Sequence, residues 1–447
     1  MSSTDVGGAT PGRPAVRVAA AAPARRAVAG SFVGSMIEWY DFFIFGTAAS
    51  LVFGPQFFPS ASPVASTLAA FATFAVGFVA RPVGGVLMGH FGDRIGRKSM
   101  LVLSLGMMGS ATVAMGVLPN YASIGVWAPV LLVTLRFLQG FGVGGEWGGA
   151  VLMATEHAPR GRAGLYGVAP QLGVPAGVLL ANLAFLLITN VVPDGDFQQW
   201  GWRIPFLLSA TLIALAMWIR LGVLETPEFE DAKKDGDVVP APLLEVVRTH
   251  WRSVLLAGGT FIGANGIGIV WLTFVLKYGP DELGFTRGTM LAMVVAACPV
   301  WMLGMAVSAY YSDLVSRRGV YLLASALLLV VSLLFFPVLD AASVPLAVAA
   351  TLVLAFTLGA AAGPQSALFA ELFPANVRYS GASLAYQLGA ILGGGIAPFI
   401  ATALFSHYGT SWAITVYFLV VALISLVSIA LLRGGPQVPA LRVRRAG

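Results

Sequence analysis

"GHFGDRIGRK" (Gly89 to Lys98) and "AYYSDLVSRR" (Ala309 to Arg318) are one pattern written twice. Asp93, Arg97 and Lys98 correspond to Asp313, Arg317 and Arg318 at a constant offset of 220. Each stretch follows a long apolar run and gathers, in a few residues, the charge that the runs on either side lack. The echo extends outward: "EHAP" (Glu156 to Pro159) is matched by "ELFP" (Glu371 to Pro374). A chain that repeats its connections in this way is built from two related halves.

The runs between those connections define the solvent. Of the 447 residues, 57% are hydrophobic and only 10% charged, with mean hydropathy +0.84. A soluble domain carries about 25% charged residues, so this chain belongs in lipid. Each run has roughly the 20 residues that cross a bilayer as a helix. The runs are too long, and too uniformly apolar, for the alternating strands of a membrane barrel. The expected fold is therefore an all-α integral membrane protein with twelve transmembrane helices in two pseudo-symmetric six-helix bundles. The helices are predicted to start near Ser31, Val64, Ser99, Trp127, Leu165, Ile204, Val254, Met290, Val320, Pro345, Gly381 and Ser411.

Basic residues orient the bundle. With the N-terminus inside, 20 of the 26 lie in inner segments and three (Arg203, Lys277, Arg287) in outer ones. Arg81, Arg136 and Arg220 lie in spans. This is a positive-inside asymmetry, and it puts both termini in the cytosol of a multi-pass plasma (inner) membrane protein. The expected order is a disordered cytosolic tail (1–29), a first bundle (30–222), a cytosolic central loop (223–253), a second bundle (254–433) and a short tail (434–447). The net charge of +6 reflects this topology and gives no reason to expect nucleic acid as a partner. The single cysteine, Cys298, excludes an internal disulfide. No nucleophile–base set, phosphate loop or metal-ligand spacing appears, so neither an enzyme, a metal site nor a cofactor is expected.

Several stretches carry a resemblance to a known family. "GHFGDRIGRK" is similar to the loop signature of the major facilitator superfamily, G-x-x-x-D-R-x-G-R-K. "RFLQGFGVGGE" (Arg136 to Glu146) resembles its fourth-helix signature, R-x-x-Q-G-x-G. "EWYDFFIFG", "ARPVGG", "GWRIPFLLS" and "ETPEF" narrow the resemblance to metabolite:proton symporters, which carry shikimate, 2-oxoglutarate, citrate, or proline and betaine. Parallel halves with the substrate site between them are the plan of that class. The resemblance implies an inner gate at Gly89, Asp93, Arg94, Gly96, Arg97 and Lys98, whose contacts break as the halves rock. The second loop departs from the signature, with Ala309 and Ser316 where it has glycines. The expectation is that Asp93 matters more than Asp313.

Five ionisable residues lie well inside the spans, all in the first half: Glu38, Asp41, Arg81, Arg136 and Glu146. Such groups are costly in hydrocarbon unless paired or used. Glu38 and Asp41, spaced i, i+3, share one helix face. They either exchange protons as the cavity alternates or pair with arginines to orient packing. Arg136 needs an anion, whether Asp41, Glu38 or a substrate carboxylate, and the resemblance favours first-helix to fourth-helix pairing. Arg81 and Glu146 are candidates for a structural ion pair. Gln139, Gln171, Asn265 and Gln387 either bind substrate or bridge helices. Glycine runs in the fourth, fifth and eleventh spans mark close helix approach. Together these expectations describe a monomeric, proton-coupled symporter of a small polar metabolite, an organic acid or a zwitterion. A transporter-like receptor without net transport is the alternative, and the short cytosolic segments speak against it.

Overall fold

The computed structural model describes residues 21–60, 62–95, 97–144, 151, 154–155, 158, 161–221, 242–374 and 377–432. Every regular element among them is helical. In chain order the apolar helices are α1 (Gly30–Phe57), α2 (Pro63–Leu87), α3 (Val102–Val117), α4 (Trp127–Val143), α5 (Ala163–Val191) and α6 (Gly201–Met217). They continue as α7 (Trp251–Leu272), α8 (Arg287–Leu314), α9 (Arg317–Leu339), α10 (Val344–Leu372), α11 (Arg378–Tyr408) and α12 (Trp412–Leu431). Among the described residues, nine are long and apolar enough to cross a membrane, while α3, α4 and α6 are shorter. These starts fall within three residues of the expected ones. The shift reaches three residues at α3, α6, α7, α8, α9 and α11; α8, α9 and α11 each open on an arginine that hydropathy excludes but a helix's first turn accepts. Thr286 and Ser316 cap α8 and α9, accepting from the Thr289 and Gly319 N–H groups.

Three segments expected as irregular contain helix. The helix that includes α1 begins at Ala21, not Ser31, in an alanine-rich stretch of high helix propensity. The connection after α2 is helical to Ile95, and the next helix starts at Arg97, so helix flanks Gly96 on both sides in the expected gating loop. Within the expected central loop, Pro242–Thr249 is a helix. Its Val246 is buried in a cluster with Tyr321, Phe369 and Phe373.

Helix pairs approach through glycine. A Cβ on Gly84 would stand 1.8 Å from the Phe141 carbonyl oxygen, and one on Gly140 2.1 Å from that of Gly77, so α2 and α4 cross backbone to backbone. Gly304 and Gly359 do the same for α8 and α10, with a Cβ at either meeting a facing carbonyl oxygen at 2.3 and 2.2 Å. Gly177 lets α5 lie on Met36 and Tyr40 of α1, and Gly389 and Gly393 let α11 lie on Gly258 and Ile262 of α7. Close approach of this kind supplies packing and weak polar contact where lipid removes the hydrophobic drive. Two helices change pitch: Ala49–Phe53 in α1 and Ala390–Gly395 in α11 are π-helical turns, a form common at functional sites.

Gly84→Ala should therefore force α2 and α4 apart and lower stability by about 1–3 kcal/mol, the usual range for overpacking. Gly195→Ala, with nothing within 4 Å, should be neutral. Thermal unfolding of the two purified variants in detergent checks the contrast.

Candidate functional site

α1 positions the acids and α2 and α4 the arginines. Asp41 is fully buried, and neither carboxylate oxygen has a hydrogen-bond partner among the described residues. The Ser209 hydroxyl of α6 faces this carboxyl without completing a hydrogen bond. Glu38, about one turn earlier, is the electrostatic neighbour of Asp41, Arg81 and Tyr386. Tyr40, between the two acids, donates to the Pro205 carbonyl at 2.8 Å and pins α1 to α6.

The arginines are held by rings. The Arg136 guanidinium carbon lies 4.0, 4.2 and 4.9 Å from the ring centroids of Phe42, Phe45 and Phe74. That of Arg81 lies 4.8, 4.3 and 5.0 Å from Trp39, Phe42 and Phe78. Phe42 serves both, so the two guanidinium carbons cannot be further apart than 8.3 Å, the sum of their distances to its centroid. Desolvated cation–π contacts are worth about 2 kcal/mol or more each, which offsets part of the cost of burying two cations. Gly77 leaves the space: a Cβ there would stand 2.5 Å from Arg136 Nε.

Of the partners expected for Arg136, the Asp41 carboxylate is not paired with it in this structure. Gln139 takes its place. Its Oε1 accepts from Arg136 Nη1, and its Nε2 donates to the Asp41 carbonyl at 3.0 Å and the Thr112 hydroxyl at 2.8 Å. The amide thus ties α1, α3 and α4 together, and its hydrogen bonds are spent inside the protein. Of the five expected buried charges, Arg81 and Arg136 meet at Phe42, and Glu38 and Asp41 lie on the helix that carries that ring; Glu146 lies outside the described residues, and with it the test of an Arg81–Glu146 pair.

The neutral candidates divide. Gln171 is buried in α5. Asn265 donates to the Ala390 carbonyl at 3.2 Å, where the π-helical turn of α11 frees it. Gln387 donates across the halves to the Gly144 carbonyl at 3.1 Å, while its Oε1 has no partner among the described residues. Two groups escaped the site expected from sequence. Gln365 in α10 is fully buried with neither amide atom partnered, and Ser209 is in the same position; an isolated polar residue in an apolar run carries no signal of what it faces.

The near end of the bundle, where α1 begins, is closed by charge. Asp313 Oδ1 and Oδ2 accept from the Gly164 and Leu165 N–H groups at the start of α5, at 2.8 and 3.0 Å. Arg317 bridges Asp313, at 3.3 Å, and Glu371. The departure at Ser316 therefore leaves the second loop engaged: its hydroxyl caps α9 and its neighbour Asp313 joins the halves. The side chains of Asp93, Arg94, Arg97 and Lys98, and the whole of Gly96, lie outside the described residues; Gly89 is helical. The far end, where α1 finishes, holds an open cavity of about 270 Å³.

A buried, closed centre of charge between two helical halves is what comparison with known proteins explains. The Major Facilitator Superfamily profile matches residues 31–386. The chain belongs to the major facilitator superfamily. It is 41% identical to the inner membrane metabolite transport protein YhjE of Escherichia coli K12, over 91% of this chain and 93% of that one. It is 40% identical to the shikimate transporter of the same organism, over 92% and 94%. To the proline/betaine transporter of Salmonella typhimurium LT2 it is 31% identical, over 90% and 82%. The fold matches that of the xylose transporter XylE from E. coli in a partially occluded inward open conformation, with TM-score 0.70 over 91% and 96% of the chains at 16% identity. This superfamily member is thus a multi-pass membrane transporter of a small molecule and not an enzyme.

Removing the charge at Asp313 tests the near-end closure. Hydrogen bonds to a charged group are worth about 1.5–3 kcal/mol, so Asp313→Asn should open this end about tenfold more often. In a Cys298→Ser background, a cysteine replacing buried Ser366, beside Gly167, reports opening by its alkylation rate. An unchanged rate would mean that the contact contributes nothing to closure.

Proposed function

We propose that this transporter is a proton-coupled symporter that takes up a small polar metabolite, an organic acid or a zwitterion, by alternating access. The observation that carries the reading is Asp41: a fully buried carboxyl without a hydrogen-bond partner among the described residues, on a residue whose backbone carbonyl shares Gln139 with Arg136. An ionised carboxylate left unpaired in so dry a place costs several kcal/mol, whereas a protonated one does not. Loss of the proton would draw Asp41 and Arg136 together at the expense of Gln139, and regaining it would release them. Asp41 is the proposed proton carrier and Glu38 its partner acid. Arg136, with Arg81 across Phe42, is proposed to receive the substrate carboxylate. Gln171, Asn265 and Gln387, with Gln365, offer hydrogen bonds to its neutral part. The relatives that carry shikimate or proline and betaine support both substrate classes.

The proposed topology is twelve spans in two six-helix halves, 30–222 and 254–433, joined by a cytosolic segment (223–253), in a monomer with both ends cytosolic. α3 and α6 support it: their helices extend to Arg97–Val117 and Ile204–Leu221, 21 and 18 residues. At 1.5 Å per residue these approach the roughly 30 Å of a bilayer core. The recurrence of glycine crossings, α2 with α4 and α8 with α10, supports two related halves. The near end is then cytosolic, and the segment around Asp93 is proposed as a gate at the same end.

In proteoliposomes with an imposed pH gradient, a radiolabelled screen of carboxylates and betaines should find concentrative uptake. Asp41→Asn should abolish concentration while leaving exchange of labelled for unlabelled substrate, and Glu38→Gln should be milder. Concentration surviving in Asp41→Asn, at equal expression, would remove Asp41 from the proton path.

A further inference from the structure

The central site leaves the far-end cavity unexplained. Its wall is formed by the π-helical end of α1, including Ser50 and Gly54, by Thr67 of α2 and Gln198 before α6, and by Lys277 and Arg287 from the other half. Among the described residues no acidic one lines it. The Ser50 and Thr67 hydroxyls already donate to the Gly46 and Pro63 carbonyls. The strong donors that remain are an ammonium with three N–H groups and a guanidinium with five.

Bases are scarce on this face, which makes their placement informative. Arg203, Lys277 and Arg287 are the arginines and lysines at this end of the spans and in the segments that join them. Arg203 is spent on the Gly116 and Leu118 carbonyls, at 3.0 and 2.6 Å. The other two, from different elements, converge on the cavity. Each also pairs with a carboxylate that is not among the lining residues. Lys277 meets Asp281 at 2.9 Å, with side chains 36% and 51% exposed. Arg287 reaches Asp194 of the opposite half at 3.8 Å, with 39% and 87% exposed. Exposed pairs of this kind are weak, so either can yield to a competing anion.

We propose that this vestibule is a binding site for small carboxylates, in which the ligand lies between Lys277 and Arg287 and takes the place of Asp194 on Arg287. Arg287–Asp194 is the ion pair that the described residues place between the halves at this end, so the incoming anion loosens the two halves as it arrives. The site stands on the cavity and its cations; it rests on the topology proposed above only for being extracellular, where it gathers anions ahead of the central site.

Its test reads Lys277 directly and needs no transport. Protein in right-side-out vesicles is treated with a membrane-impermeant amine acylating reagent, and modification of Lys277 is followed by mass spectrometry. Shikimate and succinate should each slow the reaction about threefold, a modest effect in keeping with partly exposed charges. Glycine betaine, which has no net charge, should not, and the protection should fade as ionic strength rises. Arg287→Gln should abolish protection. Asp194→Asn, which removes the competitor, should give the same protection at lower carboxylate concentration. That opposite sign is something a merely structural ion pair would not produce. Asp41→Asn should protect like wild type, so failure of the proton-coupling reading leaves this result intact. No protection by either carboxylate, equal protection by glycine betaine, or a wild-type response in Arg287→Gln would each overturn the proposal.

Discussion

A single aromatic ring organises the centre of this transporter. Phe42 stands against both buried guanidiniums, one from α2 and one from α4, on the helix that also carries Glu38 and Asp41. Arginine in hydrocarbon is tolerated only where something replaces its hydration. Here rings cover the guanidiniums and Gln139 takes one Nη1. The Asp41 carboxyl, the simplest candidate partner for Arg136, has no hydrogen-bond partner among the described residues. A permanent Arg136–Asp41 pair would be a stable structural feature, indifferent to pH. Gln139 joins Arg136 to the backbone carbonyl of Asp41, which leaves the carboxyl out of any such pair in this structure.

The glycine crossings are the mechanical complement of that charge arrangement. α2 bears Arg81 and meets α4, which bears Arg136, at backbone distance through Gly77, Gly84 and Gly140. Their side chains must therefore leave the crossing on the same side, toward α1 and its rings. Gly77 does two tasks: it admits Gly140 and leaves room for the Arg136 guanidinium. The opposite half uses the same device between α8 and α10 but carries no buried charge among the described residues. The two halves share a scaffold and differ in chemistry. One holds ions and the other offers neutral hydrogen-bonding groups such as Asn265, Gln365 and Gln387.

Closure at the near end depends on a different economy. Asp313 satisfies two N–H groups at the start of α5, which have no acceptor within their own helix. Signature glycines are absent from the second loop, and that pointed away from it. The structure places the contact there because the aspartate and arginines are retained, and Ser316 does a helix cap's work at the position of a glycine.

Much was legible in the chain itself. Helix positions came from run length, because a bilayer sets the length and no tertiary contact can change it. The two-half plan came from charged connections that repeat, and the family from the resemblance of those and other stretches to its signatures. The confinement of buried charge to the first half came from counting, since a charge among apolar residues cannot be mistaken. What only tertiary structure decided is who meets whom. Glu38 and Asp41 were visible as neighbours because a helix fixes their spacing. Gln139 as the partner of Arg136, the rings of Phe42, Phe45 and Phe74, and the meeting of Lys277 with Arg287 depend on how separate helices turn toward one another. Hydropathy carries no such information, because in lipid every apolar face is equally acceptable, and rotation about a helix axis is settled by glycine contacts and polar bridges formed only on packing.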